Sequence, residues 1–221
     1  MAYIKGSMII YEDDEVYVVA TGMLRPSNNV KTGPMTQTFI HKKRGKMTNK
    51  TKGAGCKGCP VFEACYVRWE QAPLMVHKSY KGKRYRKMEW GWEDLAQVSR
   101  FPLRIGSAGD PTAVPASTWE KLLPYVKTWT GYTHRWGLPE NISFRGFCMA
   151  SVHSVDEMKE ANSLGFRTYR VGGGPITKDE VLCPHYTKNV QCSTCGLCKG
   201  SAIKAKNIYA PAHGARKNKI K

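Results

Sequence analysis

The sequence lacks several features that would place it quickly in a known class of protein. No run of about 18 apolar residues occurs, which excludes a helical membrane-spanning protein. The opening residues, MAYIKGSMIIYEDDE, turn acidic where a secretory signal would continue apolar, so we expect a cytoplasmic protein. The P-loop, G-x-S-x-G and H-E-x-x-H motifs are all missing, which argues against the enzyme classes that they mark. Disorder is also excluded, since six Trp, eleven Tyr and six Phe can build a core.

Acidic residues are scarce in two segments, and these segments carry the whole net charge of +18. Residues 41–88 hold fourteen basic and two acidic residues, and residues 199–221 hold seven basic and no acidic residues. A near-neutral body with two cationic segments is typical of a protein that binds a polyanion. Aromatic residues that could stack on exposed bases interleave with the first segment: Tyr66, Trp69, Tyr80, Tyr85, Trp90 and Trp92. We predict contact with nucleic acid; the alternative is a solvated basic surface.

The hydrophobic pattern predicts an α/β fold in one domain, residues 1–221. Predicted strands and helices alternate after residue 94, which indicates parallel β-α-β units and a compact β/α barrel, complete or incomplete, with Cys-rich metal-binding loops. Strands are predicted within 8–20 (two), at 35–41, 103–107, 130–134, 142–152 and 166–171. Helices are predicted at 60–72, at 117–129 with a kink or break at Pro124, and at 154–164 behind a capping box.

Two parts of the chain are set apart by composition. Residues 41–92 read as a basic insertion rich in cysteine and aromatic residues, and residues 183–221 read as a Cys-rich metal-binding segment with a basic tail. Nothing in the pattern points to one oligomeric state.

Polar residues follow the predicted strands, and parallel β/α folds bind ligands at the carboxyl ends of strands. We therefore expect Asp110, His134, Ser151 and His153 to line one ligand-binding cleft at the strand ends, here called the mouth. Gly172 and Gly173 belong to a triple glycine that lets a ligand approach the backbone. Asp110 could serve as nucleophile or general base, or only as a turn cap. His134 and His153 are the acid/base candidates.

Seven of the eight cysteines fall into two groups. The first cysteine group, Cys56, Cys59 and Cys65, has the spacing C-x2-C-x5-C; the second, Cys183, Cys192, Cys195 and Cys198, has the spacing C-x8-C-x2-C-x2-C. Four thiolates close a structural zinc site or hold a [4Fe–4S] cluster. His213 is an alternative fourth ligand of the second group.

The first group leaves more alternatives open. It could recruit His41 or His77 for zinc, hold a [4Fe–4S] cluster with one open iron, or share a centre with the second group. Cys148 stands alone in a strand pattern and is predicted to be a small core residue.

The chain resembles a family of Cys-rich bacteriophage proteins through the strings SNNVKTG, CKGCP, RIGSAGDPTAVP, TGYTHRW, CMASV and CSTCGLC. This resemblance implies a phage origin, hence the host-cell cytoplasm and DNA rather than RNA as the partner, but it implies no activity.

Two enzyme superfamilies are similar at lower specificity. Radical-SAM enzymes carry three cysteines after the first barrel strand, as Cys56, Cys59 and Cys65 follow the strand MTQTFIH, which implies a [4Fe–4S] cluster and S-adenosylmethionine. In tRNA- and DNA-guanine transglycosylases a strand-end Asp is the nucleophile and a Cys/His set binds zinc, which implies these roles for Asp110 and for Cys192, Cys195, Cys198 and His213. The leading hypothesis is a phage enzyme that modifies a nucleic-acid base, with radical chemistry favoured over base exchange; the rival is a non-enzymatic, metal-stapled binder.

Overall fold

The computed structural model describes residues 2–172 and 174–212. In this part of the chain ten strands form one sheet. In chain order they are β1 (Met8–Glu12), β2 (Val16–Thr21), β3 (Thr36–Lys42), β4 (Arg86–Lys87), β5 (Leu103–Ala108), β6 (Trp129–Thr133), β7 (Met149–Val152), β8 (Thr168–Val171), β9 (Glu180–Leu182) and β10 (Asn207–Ala210). Their order in the sheet is β4-β1-β2-β3-β5-β6-β7-β8-β10-β9.

The sheet is mostly parallel, as the alternation of strands and helices predicts. The two antiparallel pairs are β1 with β2, joined by a short turn, and β2 with β3, joined by the longer loop 22–35. The run from β3 through β5, β6, β7 and β8 is parallel. The α/β class is therefore confirmed. A closed barrel is not formed by the described strands, because β4 and β9 stand at the two ends of an open sheet.

Six α-helices cover the sheet in the described residues. They are α1 (Ala72–Lys81), α2 (Trp92–Val98), α3 (Ala116–Glu120), α4 (Val155–Ser163), α5 (Pro184–Lys188) and α6 (Cys192–Cys195). None of these helices has the length and apolar character needed to cross a bilayer.

The strand register divides the core between two faces of the sheet, because side chains alternate along a strand and paired residues share a face. The helical face carries Ile40, Leu103, Ile105, Ala150 and Val152, and it packs against Val98 of α2, Trp119 of α3 and Met158 of α4. The opposite face, here called the cysteine face, is traced across the sheet by four register pairs: Gln37 with Arg104, Arg104 with Thr130, Tyr132 with Met149, and Ser151 with Tyr169.

The cysteine face is covered by α1 and by the loops that hold both cysteine groups. Val76 of α1 and Cys56 pack with Phe39 and Val19 at the β1–β3 end, and Cys183 and Cys198 pack with Met149, Tyr169 and Ile208 at the β7–β10 end. Chain segments that are far apart in sequence therefore meet on one side of the sheet.

Two of the predicted elements are wrong and one is confirmed in its details. Residues 60–71 form successive turns and extended chain, and the helix begins at Ala72, because Pro73 fits the first turn of a helix and not its interior. The predicted strand 142–152 is only β7, since Pro139–Gly146 is a 3-10 helix that buries Phe144. Pro124 does break the predicted helix, which stops at Glu120 and leaves Trp129 to begin β6.

The capping box that starts α4 is formed as predicted. Ser154 Oγ accepts a hydrogen bond from the Glu157 backbone N–H at 3.1 Å, and Glu157 Oε2 accepts one from the His153 backbone N–H at 2.6 Å. Cys148 is fully buried on the helical face, which confirms its prediction as a core residue.

Candidate metal centre

The second cysteine group surrounds one cavity on the cysteine face. All four thiols line it, together with Tyr132, Tyr169 and Ile208 from the sheet, and its volume is about 30 Å³. A space of this size holds one or two small solvent-sized species. The four cysteines come from the residue after β9, from α6 and from the turn after it.

Backbone hydrogen bonds fix the loop that carries this group. The Cys192 N–H donates to Lys31 O at 3.1 Å and the Ser193 N–H donates to Thr32 O at 2.9 Å, so the loop 28–33 docks on α6. The Cys183 N–H donates to Tyr209 O at 2.8 Å, and the Gly131 N–H of β6 donates to Cys198 O at 3.2 Å. The backbone of two of the four cysteines is thus bonded directly to the sheet.

Burial weakens the acidity of two thiols of this group, Cys192 and Cys198. Burial raises the pKa of Cys198 to about 12. Burial also raises the pKa of Cys192, although the positive charges of Arg104 and Lys31 partly oppose that shift. A bound cation would supply the charge that turns such thiols into thiolates.

The first cysteine group lies beside Asp110 at the carboxyl ends of β3 and β5. The Asp110 N–H donates to Ala54 O at 2.9 Å, and a Cβ on Gly55 would come within 2.7 Å of the Asp110 Cβ. Burial first, and then the charges of Asp110 and Cys65, raise the pKa of Cys56 to about 12. The three thiols and Asp110 therefore share one electrostatic environment.

The two histidines considered as further ligands of the first group occupy a buried aromatic cluster. The His41 ring lies 6.0 Å from the His77 ring and 6.3 Å from the Trp69 ring. Tyr17 Oη and His77 Nδ1 form a hydrogen bond of 2.8 Å. Both ring nitrogens of His41 are buried without a hydrogen-bond partner.

The donor set suits a sulfur-bound metal, but its present spacing is wider than an ion imposes. All eight cysteines are free thiols, and the second group supplies four of them around one cavity, the set that zinc or a [4Fe–4S] cluster takes. Within residues 2–172 and 174–212 no three His, Cys, Asp or Glu side chains converge closely enough to ligate an ion. Binding therefore requires the thiols to move inward.

Asp110 and His134 lie together at neighbouring strand ends, while a ligand-binding role for this mouth stays a prediction. Asp110 Oδ2 accepts a hydrogen bond from the His134 N–H at 3.0 Å, and Oδ1 accepts one from Thr133 Oγ1 at 2.8 Å, which joins the end of β5 to the end of β6. The His134 and His153 rings stack with centroids 5.6 Å apart. Burial, and then the neighbouring charge of His153, lowers the pKa of His134 to about 4.

The Asp110 carboxylate is fully engaged within the protein. Oδ1 also accepts hydrogen bonds from the Thr112 N–H at 3.0 Å and from Thr112 Oγ1 at 2.9 Å, which caps the 3-10 turn after β5. Burial raises its pKa, and these donors oppose the rise. Asp110 is therefore a buried cap of the 3-10 turn, and its hydrogen bonds link the end of β5 to the end of β6.

Three further residues were predicted to belong to a site: Gly172, Gly173 and His213. The Gly172 N–H donates to Ala210 O at 3.1 Å and its carbonyl accepts from Arg170 Nη1 at 3.1 Å, so the backbone of Gly172 is used inside the fold. Gly173 and His213 lie outside the described residues.

The sequence reading missed Arg104, and it named Lys31 only as part of a loop, residues 28–32, that could bind a phosphate or carboxylate. Arg104 lies on the cysteine face between the two groups, donates to Tyr66 Oη at 3.2 Å, and influences the pKa of Cys192. Lys31 Nζ donates to Tyr186 Oη at 3.2 Å and to Tyr169 Oη at 3.4 Å. The only signal for Arg104 was its alternation with Leu103 and Ile105, which places a charged side chain on the face opposite to these apolar ones.

Comparison of the chain with protein-family models, with curated proteins and with solved structures gives no match in any of the three.

Proposed function

We propose that the protein is a metal-dependent enzyme that modifies a base of nucleic acid. One observation supports this proposal above the others: both cysteine groups lie on the same face of the sheet, and Arg104 lies between them. A protein that used its thiols only to staple loops would have no need to bring two such groups to one face with a cation between them.

In this proposal the second cysteine group holds zinc or a [4Fe–4S] cluster that fixes the loop 183–198 against β6, β8 and β10. The first group holds a [4Fe–4S] cluster, which when bound supplies one-electron chemistry with S-adenosylmethionine. The chain's own residues bind and orient the substrate: Arg104 attracts an anionic group, and His134 and His153 lie at the mouth where a proton can be held. Basic residues of the segment 41–88 neutralise nucleic-acid phosphates.

A flipped or single-stranded base is the substrate expected from this arrangement, since chemistry on a base requires it to leave the stack. Among the interleaved aromatics, Trp92 is 77% exposed and Tyr66 is 55% exposed, so these two are available for stacking. Trp69, at 1% exposed, belongs to the core instead. The resemblance to phage proteins supports DNA in the host-cell cytoplasm as the setting.

Base exchange of the transglycosylase type is less well supported. It needs Asp110 as a free nucleophile, whereas this carboxylate accepts four hydrogen bonds and is buried. The same cap geometry favours the second candidate function, a non-enzymatic metal-stapled protein that coats nucleic acid.

Metal content and product analysis test these alternatives together. Protein purified without oxygen is analysed for iron, sulfide and zinc, and its visible spectrum is recorded. We expect iron and sulfide with a broad visible absorption; folded protein free of both iron and zinc contradicts the proposal. Nucleosides from phage DNA made with and without the protein are then compared by mass spectrometry, and an unchanged nucleoside profile with intact metal favours the binder.

A further inference from the structure

A basic cavity lies where the loop after β3 meets α1, next to the first cysteine group, since the charge of its residue Lys52 acts on the pKa of Cys59. Its volume is about 180 Å³, and its wall is formed by Lys42, Arg44, Gly45, Lys46, Met47, Thr51, Lys52 and His77. Four of these eight residues are cations and none is acidic. At about 30 Å³ per water molecule the cavity has room for several waters, and hence for a small polyatomic ion.

Lys52 is the innermost cation of this cavity. It is only 4% exposed, and its Nζ lies 3.7 Å from the centroid of the Phe62 ring. Lysine is almost never this deeply buried without a partner of opposite charge. Among the described residues no carboxylate forms an ion pair with it.

The carboxylates of this region are already occupied elsewhere. Glu12 forms ion pairs with Lys43 at 3.0 Å and with Lys87 at 2.8 Å. Glu70 accepts a hydrogen bond from Asn49. Neither of these two carboxylates therefore balances the positive charge of the cavity wall.

His77 adds a polar group at the wall of the cavity. It is 7% exposed, and because its Nδ1 is bonded to Tyr17 Oη, Nε2 is the ring nitrogen left for a ligand. Thr51 is already bonded through Oγ1 to Lys46 O at 2.5 Å, which holds the loop closed around the cavity.

We propose that this cavity binds a phosphoryl group, with Lys52 as its buried anchor. A dianion with several acceptor oxygens matches several cations arranged around one space better than a single carboxylate does. Lys42, Arg44 and Lys46 are exposed at the rim, so the group can enter from solvent while still attached to a larger molecule. The charge of Lys52 acts on Cys59 of the first cysteine group, so parent and variants are compared at equal metal content. The assignment of the phosphoryl group to the nucleic-acid backbone depends on the proposed function.

Titration of the full chain with inorganic phosphate tests the site. Binding is followed by calorimetry in a chloride buffer, for the parent protein and for Lys52→Met. We expect saturable binding that weakens by about tenfold or more in the variant, because a charge-assisted contact is lost. Lys78→Met is the matched control, since Lys78 is an exposed lysine of the same segment outside the cavity; its phosphate affinity stays within about twofold of the parent.

A second variant keeps the test decisive if Lys52→Met fails to fold. Arg44 is exposed at the rim, and Arg44→Met is expected to weaken phosphate binding by about threefold to tenfold without loss of the fold. Absence of saturable binding in the parent, or equal affinities of the rim and control variants, overturns the proposal.

Titration with a single-stranded oligonucleotide identifies the source of the phosphoryl group. If it belongs to the backbone, Lys52→Met reduces the slope of log affinity against log salt by about 0.7, the value of one phosphate contact on a single strand. If the variant loses inorganic phosphate but keeps its oligonucleotide affinity and slope, the site takes a free phosphate compound. Either result is obtained whether or not the protein modifies a base.

Discussion

Replacement of Asp110 by asparagine is expected to reduce stability, whatever its effect on chemistry. In Asp110→Asn one oxygen keeps its three donors, Thr112 N–H, Thr112 Oγ1 and Thr133 Oγ1, whereas the new amide nitrogen faces the backbone N–H of His134. Leaving that buried N–H unsatisfied costs about 1–3 kcal/mol, and the three other bonds lose their charge assistance. Removing the buried negative charge offsets part of this loss of stability, because a buried charge is itself unfavourable. We expect a net decrease of about 2–4 kcal/mol in the free energy of unfolding.

Urea unfolding at equilibrium measures the effect, on metal-loaded and metal-free protein separately. Asp156→Asn is the control, because the Asp156 side chain is 95% exposed and a surface change of this kind stays within about 0.5 kcal/mol. An Asp110→Asn protein as stable as this control would refute the view of Asp110 as a buried cap. Thr133→Val removes one donor of the same carboxylate and is expected to cost about 1 kcal/mol.

Activity of Asp110→Asn is to be compared only at a temperature where both proteins remain folded. A loss of base modification there, with the metal content unchanged, would show a role at the mouth beyond capping. Equal activity would assign Asp110 to the fold alone.

The remaining predictions concern a buried ion pair and the loop that supports the second cysteine group. Arg170 Nε and Nη2 lie 2.8 and 2.7 Å from the two carboxylate oxygens of Glu180, and Arg170→Met leaves this carboxylate buried without its partner. We expect the variant to lower the free energy of unfolding in urea by about 3–5 kcal/mol, far more than the surface substitution Lys178→Met. Burial disfavours the charge of Glu180, but Arg170 and the hydrogen bond from the Thr177 N–H outweigh burial and lower its pKa. Its contribution is therefore complete above the unfolded-state pKa and is lost as pH falls through the lower folded-state value, so stability measured between pH 5 and 3 falls in the parent and more weakly in Glu180→Gln. Gly33 has a φ of +70°, and a Cβ in Gly33→Ala would lie 2.5 Å from Gln191 Oε1. We therefore expect the variant to lose hydrogen-exchange protection at residues 191–195 and to retain metal more weakly. Unchanged protection would show that the docking of loop 28–33 is unimportant.

Local patterns predicted much of the sheet because they depend on near neighbours in sequence. Strand β5 and the short strand β8 follow from apolar runs bounded by Gly and Pro, and α4 follows from its capping box. The convergence of Asp110 and His134 also followed from sequence, since the carboxyl ends of adjacent parallel strands must meet.

Helices and ligand geometry in the loops were harder to predict for a physical reason. The helix α1 lies in a region where turns around Cys56 and Cys59 precede Pro73, and its position depends on burial of Val76 against the distant strand residues Val19 and Phe39. The same limit applies to Arg170 and Glu180, whose pairing requires β8 and β9 to be brought together through β10.

The sequence alone determined the parallel α/β architecture through its hydrophobic periodicity. It also determined the two thiol groups through the spacing of the cysteines and the two cationic segments through their composition. Only the tertiary structure decided that both thiol groups lie on one face of the sheet and that Arg104 stands between them. That outcome depends on the register of β3, β5, β6, β7 and β8, since a shift of one residue in any pairing would send a side chain to the opposite face. It also depends on long loops that dock through backbone hydrogen bonds such as Cys192 N–H to Lys31 O, which no local pattern encodes.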